Sequence, residues 1–318
     1  MKLGFIYDRR FLLHVTGDWH IECPERLEVI VKALEQAGLL AEMERLPFTL
    51  ASPEELALVH EPAYVALVRM VCDEGFTFIG SRETAICPRS YEVAALAAGG
   101  VLAACDAVLT GRVGRAFCAV RPPGHHAETD LAMGFCLFNN VALGAEHLIR
   151  KHGLSRVAIV DFDVHHGNGT QHLFETRADV FYVSVHERPG SLPFPGTGEA
   201  EEIGRGPGAG YTLNVPLDRF STEPQYRAAF EDHIVPALER YRPEFLLLSA
   251  GFDALMWDDV SHVSLEPSSF GWMTELLVEI ADRHAAGRVV SVLEGGYDRM
   301  NLGQAVVAHV RGLACASA

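Results

Sequence analysis

Two aspartates and a histidine, spaced two residues apart, follow a short apolar run of the sequence. The run is RVAIV, and the segment after it, DFDVHHGNG, contains Asp161, Asp163 and His165. Residues two apart in an extended chain point to the same side, so these three side chains are predicted to share one side. Carboxylates so close together repel each other unless a cation or a proton lies between them. The spacing therefore predicts a metal site, with a hydrogen-bonded network at a strand end as the alternative.

Another carboxylate, Asp253, follows the apolar run FLLLS in the segment SAGFDA. By itself, an aspartate at such a position is more often a helix N-cap. If it joins Asp163 and His165, the three side chains supply two oxygens and one nitrogen. Three protein ligands with one open position are typical of a catalytic zinc ion, which polarises a carbonyl group and acidifies water.

Two adjacent histidines and a tyrosine follow two further β-rich runs. His125 and His126 lie in RPPGHHAE, and Tyr297 lies in EGGYD. Two imidazoles beside an activated water molecule are suited to proton transfer. The two glycines before Tyr297 would let its hydroxyl reach the metal and donate a hydrogen bond to a developing oxyanion. The alternative for Tyr297 is an exposed tyrosine in a turn.

The elements that must position these residues alternate along the chain. Polar, glycine-rich turns end five β-rich runs, which are RAFCAV, RVAIV, VFYVSV, FLLLS and RVVSVL. Helical patterns separate these runs, and such alternation predicts a mainly parallel sheet. Ligands of open parallel sheets bind at the carboxyl ends of the strands. Since every residue named above follows such an end, the sequence predicts an α/β fold with its site at one edge of the sheet.

The first quarter of the chain is predicted to be mainly helical after one strand in MKLGFIYDRR. A proline begins and a glycine ends the pattern of a first helix over 24–38. An alanine-rich segment predicts a long helix over 91–109. Gly99 and Gly100 in its middle would allow close packing against the sheet.

Acidic side chains outnumber basic ones by 42 to 26 in the 318 residues, which gives a formal net charge of -16. Such a charge repels phosphate backbones, so nucleic acid is not an expected partner, and cationic molecules are favoured. No apolar stretch is predicted to reach the roughly 20 residues that cross a bilayer, and no signal peptide is expected. The seven cysteines are scattered without a C-x-x-C pair, which a reducing compartment tolerates. We therefore predict a cytoplasmic protein without membrane contacts, folded as a single domain over 1–318.

Five motifs together resemble the successive signatures of the zinc-dependent histone deacetylase and acetylpolyamine amidohydrolase superfamily. They are RPPGHHAETDLAMGFCLFNN, DFDVHHGNGTQ, FPGTGE, SAGFDA and EGGYD. HHGNGTQ is similar to the class II branch, and HIECPER resembles the N-terminal element of the superfamily. The resemblance implies the arginase/deacetylase fold, an α/β fold with a central, mostly parallel sheet of about eight strands flanked by helices. It also implies a deacetylase catalytic domain that spans nearly the whole chain.

The resemblance implies specific roles for the residues of the site. One zinc ion per chain would be bound by Asp163, His165 and Asp253. The implied catalytic roles are general base and acid for His126, electrostatic partner for His125, a carboxylate that holds His125 for Asp161, and oxyanion stabilisation for Tyr297. Asn168 stands where other branches have an aspartate. A neutral amide at this position is expected to leave His126 less basic than a carboxylate would.

The resemblance also implies a substrate tunnel and a second ion. The tunnel would have aromatic walls from Phe135 and Phe194, a carbonyl from Gly134 that accepts the substrate N–H, and rim residues Glu83 and Val260. A structural potassium ion would be bound by the side chains of Asp161 and Ser184 and the carbonyls of Asp163, His165 and Val185. The substrate would be an acetylated amine, either an acetylpolyamine or an acetyl-lysine peptide. Members of the superfamily often form dimers or tetramers, so the resemblance also allows a homo-oligomer.

Two other functions are compatible with this fold. Binuclear manganese ureohydrolases of the arginase type need further aspartates where this chain has Gly167 and Leu255. A catalytically silent module that binds acylated chains would be expected to lack the tyrosine or a metal ligand, and this chain has Tyr297 and all three candidate ligands. The sequence therefore favours hydrolysis with a single zinc ion.

Overall fold

The computed structural model of the protein describes residues 2–191 and 194–315. These residues contain ten strands, which are β1 (Leu3–Ile6), β2 (Glu44–Arg45), β3 (Phe78–Ile79), β4 (Ser81–Ala85), β5 (Arg115–Cys118), β6 (Val157–Asp161), β7 (Val180–Glu187), β8 (Thr212–Leu217), β9 (Phe245–Ala250) and β10 (Val289–Leu293). They also contain eleven α-helices, which are α1 (Glu25–Gln36), α2 (Leu39–Glu42), α3 (Pro53–Leu56), α4 (Pro62–Asp73), α5 (Ser90–Leu109), α6 (Asn140–His152), α7 (Asn168–Phe174), α8 (Glu223–Ala228), α9 (Val235–Tyr241), α10 (Ser269–His284) and α11 (Leu302–Ala314). Two short 3-10 helices (Arg9–Leu13 and Gly206–Gly208) and a π-helical segment (Ala229–Ile234) complete the regular structure of this part of the chain.

Eight of the strands form one sheet in the order β2-β1-β5-β10-β9-β6-β7-β8, and every neighbouring pair in it is parallel. Strands β3 and β4 form a separate antiparallel pair. The prediction of an α/β fold with a mainly parallel sheet is therefore confirmed. The five β-rich runs identified in the sequence correspond to β5, β6, β7, β9 and β10.

Helices cover the sheet, and this explains the composition of its central strands. Every residue of β6, β9 and β10 is buried. Strands covered on both faces carry continuous apolar runs instead of an alternating pattern. Helices α5 and α6 pack together against the sheet, and a second group is formed by α1, α10 and α11.

Helix α5 runs through the core. Its 20 residues are long and apolar enough to cross a membrane by length and composition, with a mean hydropathy of 1.7, so the prediction that no stretch reaches this length is wrong. However, 78% of the apolar stretch is buried inside the fold, as expected for a core helix. Gly100 packs against β1 as predicted, since an added Cβ would lie 2.6 Å from Cγ2 of Ile6. Gly99 instead contacts the loop before α3, where an added Cβ would overlap the carbonyl oxygen of Thr49.

The chemically important segments meet at one edge of the sheet. Strands β5, β10, β9 and β6 are consecutive neighbours in space and run in the same direction. The loops that follow them carry His125 and His126, Tyr297, Asp253, and Asp163 and His165, in that spatial order. The sheet therefore delivers side chains from four separate parts of the sequence to one place.

Candidate active site

The three candidate zinc ligands converge beyond the carboxyl ends of β6 and β9. Nδ1 of His165 lies 3.2 Å from Oδ1 of Asp163 and 3.0 Å from Oδ2 of Asp253. The backbone N–H of Gly295 donates to Oδ2 of Asp163 over 2.9 Å. The N–H of Val164 donates to Oδ1 of Asp253 over 3.0 Å. Oδ1 of Asp163 also accepts the backbone N–H of His165 over 2.9 Å. Backbone N–H groups therefore hold both carboxylates, and each carboxylate directs one oxygen towards the same imidazole nitrogen.

The two buried carboxylates repel each other, so a cation between them would stabilise the group. Burial and the negative charge of Asp163 raise the pKa of Asp253. Without a metal ion a proton would meet this need, since hydrogen bonds to the two carboxylates raise the pKa of His165 to about 10 despite burial. One N–H cannot satisfy two carboxylate oxygens fully, whereas a metal ion can bind all three atoms. The two oxygens and the nitrogen lie within 4.8 Å of one another, and they fit a zinc ion with one open position.

The carboxylate of Asp161 is directed at His125, and its other oxygen accepts the backbone N–H of Asp163 over 3.2 Å. Its Oδ2 lies 3.0 Å from Nδ1 of His125 and accepts a hydrogen bond from the hydroxyl of Tyr182 over 3.1 Å. Strand β6 ends at Asp161, so a loop positions the two ligands that follow it. The Asp161 carboxylate is therefore not one of the three converging ligand atoms, although the two-residue spacing grouped it with Asp163 and His165. Despite burial, the charges of Asp161 and Asp163 raise the pKa of His125 to about 10.

Hydrogen bonds fix the tautomer of His126. Its Nδ1 lies 2.7 Å from Oδ1 of Asn168, and the amide nitrogen of Asn168 donates to the carboxylate of Glu128. Because the Asn168 oxygen accepts, Nδ1 of His126 carries the hydrogen and Nε2 keeps a free lone pair. Burial and the positive charges of His125 and His165 lower the pKa of His126 well below its ordinary value. His126 is therefore a neutral imidazole that can accept a proton.

Arg26 and Asp258 hold the turn that carries Tyr297. The guanidinium of Arg26 lies 4.8 Å from the centre of the Tyr297 ring and donates to the carbonyls of Gly296 and Glu294 over 2.6 Å each. The carboxylate of Asp258 accepts the backbone N–H of Tyr297 over 2.7 Å. Burial raises the pKa of Tyr297 well above its ordinary value. Its hydroxyl therefore keeps the proton that an oxyanion donor needs.

A group of buried charges lies behind the site and was not predicted from the sequence. The carboxylate of Glu22 accepts hydrogen bonds from the guanidinium groups of Arg26 and Arg121, and all three side chains are fully buried. Glu294 accepts the backbone N–H of His125 over 3.2 Å. The sequence indicates only one of these ion pairs. Glu22 and Arg26 are four residues apart, which is the spacing of an ion pair on a helix.

A pocket of about 230 Å³ opens onto the candidate zinc ligands. Its lining includes every residue predicted to contact the substrate, namely Gly134, Phe135, Phe194, Glu83 and Val260. It also includes His125, His126, Asp163, His165 and Tyr297. The ring of Phe194 lies 4.8 Å from that of His126, and the ring of Phe135 lies 5.8 Å from that of Tyr297. A passage lined by two aromatic rings therefore leads to the polar group.

His20, the first residue of HIECPER, supports this passage, and this contact was not predicted from the sequence. Its ring packs edge-on against Phe135 with 4.9 Å between centres. Its Nε2 lies 2.8 Å from the carbonyl oxygen of Glu83. His20 therefore connects the aromatic wall to the segment that carries the acidic rim residue.

We expect Gly134→Ala to lower kcat/KM for an acetylated amine by at least about tenfold, because small displacements of catalytic groups reduce rates strongly. A Cβ at Gly134 would lie 2.8 Å from Cγ of His126 and 2.9 Å from Cζ of Phe194. Gly134 also has a φ of +55°, so alanine adds backbone strain. Gly111→Ala is the matched control, with a φ of +76° and no neighbour within 4 Å of an added Cβ. Equal kcat/KM values for the two variants, each corrected for its folded fraction, would contradict this prediction.

The residues predicted to bind potassium lie next to the candidate zinc ligands. Asp161 and Ser184 are paired in register on β6 and β7, and Val185 follows Ser184. The hydroxyl of Ser184 lies 2.8 Å from Nδ1 of His186, which is therefore a competing partner. Potassium binding stays a prediction.

The sequence and the fold were compared with those of known proteins. The sequence matches the family described as "Histone deacetylase domain" over residues 20–313. It is 41% identical to the "Histone deacetylase-like amidohydrolase" of Pseudomonas aeruginosa, over 98% of this chain and 87% of that protein. It is 42% identical to the human "Polyamine deacetylase HDAC10", over 95% of this chain but 46% of that protein. The solved structure of the HDA15 HD domain matches with a TM-score of 0.93 and 34% identity, over 98% of this chain and 89% of that one.

The parallel eight-stranded sheet and its structural match define the class as the arginase/deacetylase fold. Within this class, the chain belongs to the histone deacetylase family. It is a deacetylase of the amidohydrolase type, and the resemblance drawn from the motifs is confirmed.

Proposed function

We propose that this protein is a zinc-dependent amidohydrolase that removes acetyl groups from primary amines. The observation that carries the proposal is the convergence of three ligands, two of them fully buried, with a neutral imidazole and a protonated phenol at one pocket. These residues are Asp163, His165, Asp253, His126 and Tyr297. We also propose that the chain works as a single catalytic domain over 1–318.

One zinc ion would be held by Asp163, His165 and Asp253. When bound, it would polarise the acetyl carbonyl and acidify a water molecule. Gly167 and Leu255 supply no carboxylates for a second catalytic ion. The donor set therefore favours a single zinc ion over the binuclear manganese alternative.

His126 would act first as general base and then as general acid. Its Nε2 would accept a proton from the attacking water, while Asn168 keeps Nδ1 protonated. The same nitrogen would then return the proton to the departing amine, so that acetate and a primary amine are released. His125, held by Asp161, would keep a positive charge beside the developing oxyanion.

The pocket would bind the substrate through shape and one hydrogen bond. Phe135 and Phe194 would enclose the linear aliphatic chain that carries the acetyl group. The carbonyl of Gly134 would accept the amide N–H. Glu83 and Val260, at the rim, would contact the part of the substrate that stays outside.

The substrate would be an acetylpolyamine or an acetyl-lysine peptide. Among the relatives, the human protein is named a polyamine deacetylase and the Pseudomonas protein a histone deacetylase-like amidohydrolase, which supports both classes. The net charge of -16 and the carboxylate of Glu83 favour a cationic substrate.

Comparison of kcat/KM for acetylputrescine, acetylspermidine and an acetyl-lysine peptide tests the proposal. Failure to release acetate from all three would contradict it and would favour the silent binding module.

We expect Tyr297→Phe to lower kcat by about 10²–10³, because it removes one donor to the oxyanion and leaves the ring in place. The ring would still contact Arg26, so the melting temperature should change little. Acetate release and thermal unfolding measure the two effects. Tyr211→Phe is the control, since Tyr211 precedes β8 and packs on Tyr241 away from the pocket. Undiminished turnover of Tyr297→Phe would exclude the assigned role.

Three further proposals concern the setting of the enzyme. A potassium ion would be bound by Asp161, Ser184 and the carbonyls of Asp163, His165 and Val185. The protein would be cytoplasmic, which the seven free thiols support. A homo-oligomer is compatible with the family.

A further inference from the structure

A second group of metal-ligating side chains lies between α5 and α6. Nε2 of His147 and Nε2 of His152 lie 2.7 Å and 2.6 Å from the same oxygen, Oδ1 of Asp106. The three ligand atoms fall within 4.8 Å of one another. None of these residues lines the active-site pocket.

The two helices bring these side chains together from different parts of the chain. Asp106 lies near the C-terminal end of α5, and both histidines lie on α6, with His152 as its last residue. The imidazole rings of His147 and His152 are 5.3 Å apart and inclined by 70°. The C-terminal end of a helix carries a partial negative charge, which favours a cation there.

The group is buried enough to be ordered and open enough to be reached. The side chain of His147 is 5% exposed, that of His152 is 22% exposed and that of Asp106 is 38% exposed. A cavity of about 320 Å³ borders the group and is lined by Asp106 and His147, with Phe48 and Leu102 among its apolar residues. Ions in solvent therefore have a path to the group.

We propose that Asp106, His147 and His152 form a second, peripheral site for a divalent transition metal ion that connects α5 to α6. Two imidazole nitrogens and one carboxylate oxygen leave one position of a tetrahedral ion for water. Imidazole ligands favour zinc, copper or nickel over magnesium or calcium. This ion is additional to the single catalytic ion, and the site is independent of the proposed reaction.

A variant of Lys151 tests whether Asp106 is a metal ligand or only a member of a network of ion pairs. Its Nζ donates to Oδ2 of Asp106 over 2.9 Å, which leaves Oδ1 directed at the two histidines. The side chain of Lys151 is 55% exposed and can turn into solvent when an ion binds. Its charge opposes a cation at this position. Lys151→Ala should therefore lower the Kd for zinc a fewfold, and a higher Kd in this variant would contradict a site centred on Asp106.

Zinc content provides the main test. The untagged chain is stripped with a chelator, loaded with zinc and dialysed, and its metal content is measured by elemental analysis. We expect two zinc ions per chain, and one in the double variant His147→Ala/His152→Ala, with unchanged acetate release. Equal zinc content in the double variant and the unmodified chain would overturn the proposal. His284→Ala is the control for loss of a histidine, since His284 ends α10 and pairs with Glu239.

The unfolding temperature separates this site from the catalytic one. Zinc should raise the melting temperature of Asp163→Ala, in which the catalytic ligand set is broken, because an ion that binds only the folded chain stabilises it. The same addition should not raise it when Asp163→Ala is combined with the double variant. If the catalytic zinc is wrong but the peripheral site is right, Asp163→Ala keeps the zinc content of the unmodified chain while the double variant loses one ion. A zinc-induced rise that persists in the triple variant would overturn the peripheral site.

Discussion

Removal of the proposed catalytic zinc ion should lower kcat/KM for an acetylated amine by at least about a thousandfold, because polarisation of a carbonyl by a metal is worth several kcal/mol. The fold should survive this treatment. In the metal-free chain, the proton on His165 supplies a positive charge between Asp163 and Asp253, and burial does not prevent its pKa from rising to about 10. Metal binding must displace this proton, so zinc uptake should release protons into a weakly buffered solution. The measurements are acetate release before and after dialysis against a chelator, recovery on addition of zinc, and circular dichroism.

A pair of carboxylate variants on one loop separates the loss of a ligand from a general change of charge. Asp253→Asn removes a buried carboxylate directed at His165, whereas Asp259→Asn alters an exposed one six residues later. We expect the first variant to lose zinc and activity together and the second to keep both. Both are best made in the His147→Ala/His152→Ala background, so that only the catalytic ion is counted. Full activity of the chelated protein would contradict a metal-dependent mechanism.

The fold was predictable where one local rule sufficed. Apolar runs followed by glycine-rich turns identified β5, β6, β7, β9 and β10, because buried parallel strands carry continuous apolar sequence. Strand β2 has two residues and gives no pattern. Strand β8 is only partly buried, and the run TLNVPL that forms it contains a proline. The neighbours of β10, which are β5 and β9, follow from long-range pairing that no local pattern contains.

The candidate site also contains residues that could be predicted from the sequence and residues that could not. Its ligands, histidines and tyrosine lie in short motifs, and their positions relative to strand ends were visible in the sequence. The contacts that hold the turn of Tyr297 could not be predicted from the sequence, because Arg26 donates to the carbonyl of Gly296, which is 270 residues away along the chain. Asp258 is similar, since its acceptance of the Tyr297 N–H depends on the packing of two loops. Residue type alone does not show that a buried charge is paired with a distant backbone group.

Replacement of His126 by alanine should lower kcat/KM by about 10²–10⁴, the usual contribution of a positioned general acid or base. Its Nδ1 is held by Asn168, and Asn168 is in turn oriented by the carboxylate of Glu128. Nε2 is therefore the atom of His126 left to accept a proton in the pocket. Burial, with the positive charge of His125, keeps His126 neutral, so that the base is present without prior deprotonation.

Zinc content distinguishes this effect from the loss of a metal ligand. His126 is not among the three converging ligands, so His126→Ala should retain the catalytic zinc ion while it loses turnover. The control variant His284→Ala, at a histidine outside the pocket, should retain both. Turnover above about a tenth of the unmodified rate in His126→Ala would be too much for a chain that had lost its general base. That result would contradict the general-base role of His126. His125 would not fill this role near neutral pH, because a pKa of about 10 keeps its imidazole protonated.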